Sequence, residues 1–458
     1  MGAQATALST ARKLGLGVGD LGFNLYWQST SLFLLFFYTD VLGIPAEIAG
    51  LIYMLALVWD AAIDPLIGLI ADRTRTRIGR YRPYLLFGSP VLALAFVLMF
   101  ASPREPAAGA VMLTAAAHVL FRTVYAVVSI PYSSLFARVT RDSAERADLA
   151  GFRMVFATLS ALVISAGTLP LTHILGGSDP RRGWIALGAI FGIAGTLIIV
   201  LVAWAARGLD GVDAPAPQRR PASAVAGSIL ANTPLLITLG VILVTSFSSV
   251  FFQKNVIYYF KYVVGDVGAA STALAMMAGL TALAVPFWAW VARSRGKRPA
   301  WIAGGGFSIA GLVLWRLADG HGLATLLGAL AVMSIGTAAS YVCFWAIVPD
   351  TVEYGEWRTG VRTESFVFGF VTLAQKAALG FGAGGLGFAL KAVGYAANKP
   401  QSAATLSGLK TLMLAVPLTG VVIAVVLMLF YRLDPKTHRR LVDEIAAREL
   451  DSPITPAI

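Results

Sequence analysis

Twelve apolar runs, each close to the length that carries a helix through the hydrocarbon core of a bilayer, constrain what this 458-residue chain can fold into. They are Leu14–Tyr38, Ile48–Ala71, Pro83–Phe100, Ala110–Ala137, Leu149–Leu175, Trp184–Ala206, Pro234–Tyr262, Ser271–Ala292, Ala300–Ala318, Leu323–Val348, Phe366–Leu390 and Leu409–Tyr431. Backbone polar groups in lipid must be satisfied within their own segment, so such runs fold as helices. The sequence therefore predicts an all-α membrane protein with 12 transmembrane helices. Composition agrees, because 13% of the residues are charged and 57% apolar, against roughly 25% charged in a soluble domain. That excludes a soluble globular enzyme, a disordered chain and a nucleic-acid-binding domain. The stretch after Arg12 and Lys13 is longer than a signal-peptide core and contains Asp20 and Asn24, so it reads as a retained first helix.

The formal net charge of +12 would suggest a polyanionic partner in a soluble protein. Here the distribution of the bases gives another reading. With the connections numbered alternately, 24 of the 36 Lys and Arg fall on the side of the termini and eight on the opposite side. Basic loops mark the cytoplasmic face, so both termini are expected to be cytoplasmic. The single cysteine, Cys343, and four scattered histidines show no ligand spacing. No nucleophile and base constellation or cofactor fingerprint is present, so neither an enzyme nor a resident cofactor is expected.

The longest polar interruption, 207–232, splits the helices six and six. The expected organisation is an N-terminal six-helix bundle over 1–206, a cytoplasmic linker over 207–232, a C-terminal bundle over 233–432 and a cytoplasmic tail over 433–458. Weak self-similarity spans the linker. Tyr38-x-x-Val41-x-Gly43 recurs as Phe260-x-x-Val263-x-Gly265, Arg146-x-Asp148 as Arg362-x-Glu364, and Pro131 as Pro349, all at an offset of about 220 residues, which favours a duplicated unit. Parallel halves of this kind place a ligand site between them at mid-membrane.

Ionisable residues inside the spans are costly on the lipid side and must face a cavity or a partner. The bases are Arg122, Arg153, Lys254 and Lys376, and the acids are Asp20, Asp60 and Asp64. Asp60 and Asp64 share one helical face. Two carboxylates that close disfavour joint ionisation, so one holds a proton or both share a cation. The pair reads as a coupling site; the alternative is that each acid pairs with a basic neighbour. The fourth span carries the stripe His118, Arg122, Tyr125 and Ser129, expected to face protein or water. Polar packing is the preferred reading for His118, whereas Tyr125 and Ser129 are cavity candidates, since Tyr stacks on a sugar face.

Gln253-Lys254-Asn255, Gln375-Lys376 and Arg153 supply amide, ammonium and guanidinium groups that suit a ligand with several hydroxyls and a negative charge. Alternatively, Lys376 and Arg153 neutralise Asp60, Asp64 or Asp20, and the two roles are compatible in different states. Asp20 is expected in a structural ion pair and Asn24, a turn deeper, in ligand contact. Trp27, Tyr341 and Thr372 complete the candidate binding set. The arginine-rich loop Asp72–Arg82 is expected to bond helix ends on the cytoplasmic side and to favour an outward-open state; a solvated basic loop is the alternative. Asp72, Arg73, Arg80, Arg146, Asp148, Arg362 and Glu364 are the candidate cytoplasmic gate.

Several segments resemble the glycoside–pentoside–hexuronide:cation symporter family, the melibiose-permease branch of the major facilitator superfamily. They are Gly19-Asp-Leu-Gly-Phe-Asn24, Phe37-Tyr-Thr-Asp-Val-Leu-Gly43, Trp59-Asp-Ala-Ala-Ile-Asp-Pro65, Asp72-Arg-Thr-Arg-Thr-Arg-Ile-Gly-Arg-Tyr-Arg-Pro83, Ile130-Pro-Tyr132 and Asp350-Thr-Val-Glu-Tyr-Gly-Glu356. The resemblance implies the major facilitator fold of two pseudo-symmetric six-helix bundles. It also implies a cation site at Asp60 and Asp64, with Asn24, Tyr125, Ser129, Arg153 and Lys376 in sugar-site or coupling positions. Two departures matter. Ile63 and Ala126 stand where sodium-using relatives carry polar residues, so a sodium shell is poorly completed and a proton is the better coupling ion, with sodium as the alternative. Positions 24 and 129, acidic in the melibiose permease, are Asn and Ser, and Lys254 adds a positive charge, which shifts the expected substrate toward an anionic sugar.

The expectation is a monomeric, secondary active symporter of a sugar, glycoside or sugar acid in the bacterial cytoplasmic membrane, with lipid as its surroundings and no nucleic-acid partner. Lysolipid movement and a non-transporting receptor or scaffold are the alternatives.

Overall fold

The computed structural model describes residues 8–105, 107, 109–139, 143–209, 227–361 and 363–451. Among them there is no strand. The helices are α1 (Thr10–Gly17), α2 (Gly19–Phe36), α3 (Ala46–Arg73), α4 (Arg82–Phe100), α5 (Ala110–Val139), α6 (Ser143–Gly176), α7 (Pro180–Ala205), α8 (Thr233–Tyr259), α9 (Val267–Arg295), α10 (Lys297–Ala318), α11 (Leu323–Thr359), α12 (Glu364–Ala392), α13 (Ala403–Leu429) and α14 (Pro435–Asp451). Eleven of these, α3 to α13, are long and apolar enough to cross a membrane. The first span is the exception, since α2 has 18 residues and carries Asp20, Asn24, Gln28 and four hydroxyl side chains, Tyr26, Ser29, Thr30 and Ser31. With it, each of the twelve apolar runs has its helix.

The first run comprises two helices in succession, α1 and α2. Gly17 and Gly19 flank a break at Val18, and a Cβ on Gly19 would stand 2.5 Å from the Tyr132 ring, so only glycine lets α2 start against α5. At its far end α2 passes into a π-helical turn, Phe37–Val41, closed by Ile44 N–H donating to Tyr38 O at 2.9 Å. The same device follows α8: Phe260–Val264 is a π turn, and Asp266 N–H donates to Phe260 O at 3.0 Å. Gly43 and Gly265 end the two turns at φ 78° and 80°, the left-handed region that a β-carbon disfavours. The repeat seen in sequence is thus a repeat of backbone geometry.

The helices form two compact units. The first comprises Met1–Ala216, Val250–Gly279 and Leu379–Leu412, the second Pro217–Ser249, Leu280–Ala378 and Met413–Ile458. Within the first, α2 packs on α6 and α7, α3 on α5, and α4 on α5 and α7. A Cβ on Gly50 would lie 2.9 Å from Ala383 O, and one on Gly387 2.4 Å from Ala46 O, so α3 and the end of α12 meet backbone to backbone. Small residues at such crossings let helices associate in lipid without a hydrophobic driving force. Within the second unit α10 packs on α11, and the tail residues 435–451 form α14, which packs on α11. Its start is set by Asp434, whose Oδ1 accepts the Thr437 N–H at 2.7 Å ahead of Pro435.

Candidate functional site

The candidate residues on α2, α3, α5, α6 and the end of α8 fall in the first unit. Asp60 is fully buried on α3, and Asp64, one turn on, is half-buried on the same helix. The neighbouring Trp59 is anchored to α5 by its indole N–H, which donates to Thr123 Oγ1 at 2.9 Å. Tyr125 lies close enough to both Asp60 and Arg122 for the two charges to act on its hydroxyl. Its ring meets Phe23 edge-on at 6.0 Å and Trp27 at 6.1 Å. Asn24 is half-buried and donates to Asp20 O at 2.8 Å. Ser129 and Gln253 are also half-buried.

Arg153 is engaged by Asp20. Its Nε stands 2.5 Å from Asp20 Oδ2 and its Nη2 3.3 Å from Oδ1, while the Tyr132 hydroxyl donates to Oδ2 at 2.6 Å. The guanidinium also stacks over Phe136, 4.3 Å from the ring centroid. Among the described residues no carboxylate pairs with Lys254. Its ammonium donates to Ser31 O and sits 4.0 Å from the Tyr53 ring centroid. Arg122, 1% exposed, lies over Trp27 at 5.2 Å and over Tyr53 and Phe121 at 5.9 Å, with its Nε donating to His118 Nε2 at 3.3 Å.

Sequence reasoning missed the best-satisfied carboxylate, Asp40, at the end of the unit that carries both π turns. Lys261 Nζ at 2.6 Å and the Tyr262 hydroxyl at 2.5 Å donate to its Oδ1; the hydroxyls of Thr39 at 2.7 Å and Tyr395 at 2.6 Å donate to Oδ2. Asn398 adds a bond to Asp40 O at 2.7 Å. Burial beside the Asp40 charge pushes the Tyr395 hydroxyl well above the usual tyrosine range, so it remains a donor. Nearby, Lys391 pairs with Glu47 at 2.8 Å. The signal was available: Asp40 sits in a quoted motif just before a glycine turn, and Lys261 occupies the equivalent turn of the repeat.

At the other end of the first unit, Asp72 accepts from the Tyr81 hydroxyl at 2.7 Å and Asp148 from Lys13 at 2.8 Å. Arg82 donates to Ala203 O at 2.8 Å, so this loop binds a helix end as well as meeting solvent. Arg73 and Arg146 are exposed and Arg80 half-buried. Arg362 lies outside the described residues.

The remaining candidates belong to the second unit. Tyr341 is half exposed, Thr372 donates to Phe368 O at 2.9 Å, Lys376 is half-buried and Glu364 exposed. The second unit also carries a charge cluster that sequence reasoning did not assemble. Lys297 Nζ bonds both oxygens of Asp350, at 2.6 and 2.5 Å, and His438 of α14 contacts Glu353 and lies 3.6 Å from Asp350. The ligand atoms of Asp350, Glu353 and His438 fall within 4.8 Å of one another, a spacing that can hold a metal, but the Lys297 ammonium already occupies Asp350. Glu444 fastens α14 a second time, accepting from the Trp357 indole at 2.7 Å and Arg440 Nε at 2.8 Å, and these donors hold its carboxyl below the usual range.

A buried and a half-buried acid on one helix, aromatic side chains beside them and bases within the spans describe a transporter interior, and comparison with known proteins assigns it. Residues 15–435 match a family described as MFS/sugar transport protein. The chain is 29% identical to the isoprimeverose transporter of Lactiplantibacillus pentosus, over 94% of this chain and 91% of that one. In fold it resembles a D-xylose-proton symporter, with TM-score 0.68 at 14% identity, covering 93% of this chain and 98% of the other. It equally resembles a bacterial homologue of the human lysosomal transporter Spinster in an inward-facing, unoccupied conformation, with TM-score 0.69 at 13% identity, covering 96% and 99%. The chain is therefore a multi-pass membrane transporter, not an enzyme, and belongs to the sugar-transport family of the major facilitator superfamily.

Proposed function

We propose that this protein is a secondary active symporter that couples a sugar or glycoside to a cation, a proton in preference to sodium, by alternating access of its two six-helix halves in the bacterial cytoplasmic membrane. Both termini face the cytoplasm and the functional particle is a monomer surrounded by lipid. The observation that carries the reading is the fully buried Asp60, one turn from Asp64 and beside Tyr125. A proton or cation taken up there changes the charge next to the aromatic wall a sugar ring would stack on, and binding at one position then favours binding at the other by reciprocal linkage. Ile63 and Ala126 offer no oxygen donors to complete a sodium shell, which supports the proton. Asn24, Trp27, Tyr125, Ser129, Arg153, Gln253 and Lys254 serve substrate binding in the first unit, and Tyr341, Thr372 and Lys376 keep that role in the second. On this orientation the Asp40 cluster closes the outer end of the first unit, and Asp72, Arg73, Arg80, Arg146, Asp148, Arg362 and Glu364 act at the cytoplasmic end.

Uptake into proteoliposomes with an imposed pH gradient tests the coupling. Concentrative uptake should follow the gradient, and Asp60→Asn or Asp64→Asn should abolish it while leaving downhill exchange measurable. Uptake indifferent to the gradient, to sodium and to both substitutions would refute symport.

A further inference from the structure

The stripe residue Arg122 has an environment that the coupling and sugar roles above do not use. Among the described residues its Nε is engaged by His118 Nε2, while Nη1 and Nη2 have no hydrogen-bond partner although the residue is 1% exposed. Because His118 Nε2 accepts that bond, the neutral imidazole carries its proton on Nδ1, and Nδ1 also lacks a partner. The Tyr38 hydroxyl is a third buried donor with no partner, its ring 5.9 Å from His118 and close enough to Arg122 to feel its charge. Lys254 adds a second cation on the same wall, since it and Arg122 act on both His118 and Tyr53. Buried donors are ordinarily satisfied, and a buried cation without an acceptor is costly. Arg122 Nη1 and Nη2, His118 Nδ1 and the Tyr38 hydroxyl, each with a hydrogen to donate and none taken up, describe a receptor for an oxyanion.

We propose that Arg122, His118 and Tyr38, backed by Lys254, form the subsite that holds the anionic group of the transported molecule, a carboxylate or a sulfonate on a sugar. This rests on the sugar-symporter reading and narrows its substrate class. Two parallel N–H bonds from the Arg122 fork suit the planar oxygens of a carboxylate or two oxygens of a sulfonate. Of the three rings around the guanidinium, Tyr53 and Phe121 are buried and only Trp27 is half-buried. Trp27 also touches Tyr125, so it is the side from which the anionic end of a sugar stacked at Tyr125 reaches the arginine. The selectivity resides in the unused donors: a neutral hydroxymethyl group cannot satisfy them, whereas an oxyanion can.

Binding to the full-length purified protein is measured for three probes, methyl glucoside, glucuronate and 6-deoxy-6-sulfoglucose. The wild type should bind at least one acidic sugar ten-fold or more tightly than the neutral one, and the two acidic arms separate carboxylate from sulfonate. Arg122→Gln should reduce that acid-over-neutral ratio at least ten-fold, and Arg122→Lys, which keeps the charge and loses the fork, should fall between. Lys254→Gln should reduce the ratio by a smaller factor, so the result does not depend on one variant folding. A wild type that binds methyl glucoside but neither acid leaves the symporter reading standing and overturns the subsite. An acid preference unchanged in Arg122→Gln overturns it too and assigns the donors to buried water. A wild type that binds no sugar at all removes both readings.

Discussion

Asp40 and Arg122 are both charged, both buried and both in the first compact unit, yet their surroundings are opposite. An ionised carboxylate offers about four acceptor positions, and Asp40 fills them with Lys261, Tyr262, Thr39 and Tyr395. Arg122 leaves the N–H groups of both terminal nitrogens idle. The first charge is a fastener, because every bond it can make is made within the protein and its removal leaves Lys261 with Asn398 and no counter-charge. The second contributes nothing comparable to stability and must be explained by something that arrives. Burial alone does not separate a structural charge from a functional one; the account of donors and acceptors does.

The contrast breaks most sharply at Asp40. Asp40→Ala should cost about 3 kcal/mol, because it leaves Lys261 without its carboxylate, read as a large fall in melting temperature of the purified protein. If the variant melts with the wild type, the fastener reading is wrong. Arg122→Met should move the other way, leaving stability unchanged or raising it by about 1 kcal/mol, as replacing an uncompensated buried charge by an apolar side chain does. A destabilised Arg122→Met would place Arg122 in the same class as Asp40.

Tyr395→Phe removes one of the four donors to Asp40 and should cost about 1 kcal/mol. The Tyr395 hydroxyl titrates above its unfolded range, so its contribution is complete below about pH 10 and is lost as pH rises through the folded value. The alkaline limb of a melting-temperature profile should therefore be flatter in Tyr395→Phe than in the wild type. The smallest effect belongs to a half-buried surface carboxylate with two donors, Glu444. Its carboxyl is held low, so its contribution is present above the usual carboxylate range and is lost as pH falls through the folded value. Glu444→Gln should speed protease cleavage in α14 without shifting the melt, showing that burial multiplies the effect of satisfied donors.

What the sequence made legible follows from which forces act locally. The spans were readable because lipid forces apolarity over each membrane-crossing length, and the duplication because turns with left-handed glycines tolerate few sequences. The full lengths were not. α11 runs eleven residues past its apolar stretch, to Thr359, and α14 was read only as a tail, because polar helix beyond the membrane carries no hydropathy signal. The close approach of α2 to α5 at Gly19 was hidden because it is made with Tyr132, 113 residues away in the chain. In the site, the acid pair and the buried bases could be named from position alone. Their pairing could not: the sequence leaves Asp20, Asp60 and Asp64 open as partners of Arg153, and the choice of Asp20 is made by helix rotation and by Tyr132, which bonds the same carboxylate oxygen.

The two π turns carry a last consequence, concerning symmetry. Thr39 and Asp40 in the first turn occupy the places that Lys261 and Tyr262 hold in the second, and Asp40 accepts from both of the latter. In a symmetric pair of identical copies a contact between the first and the second of these positions would be made twice. Here the two turns keep one backbone geometry while their side chains differ, and the contact is made once, by Asp40 on Lys261 and Tyr262.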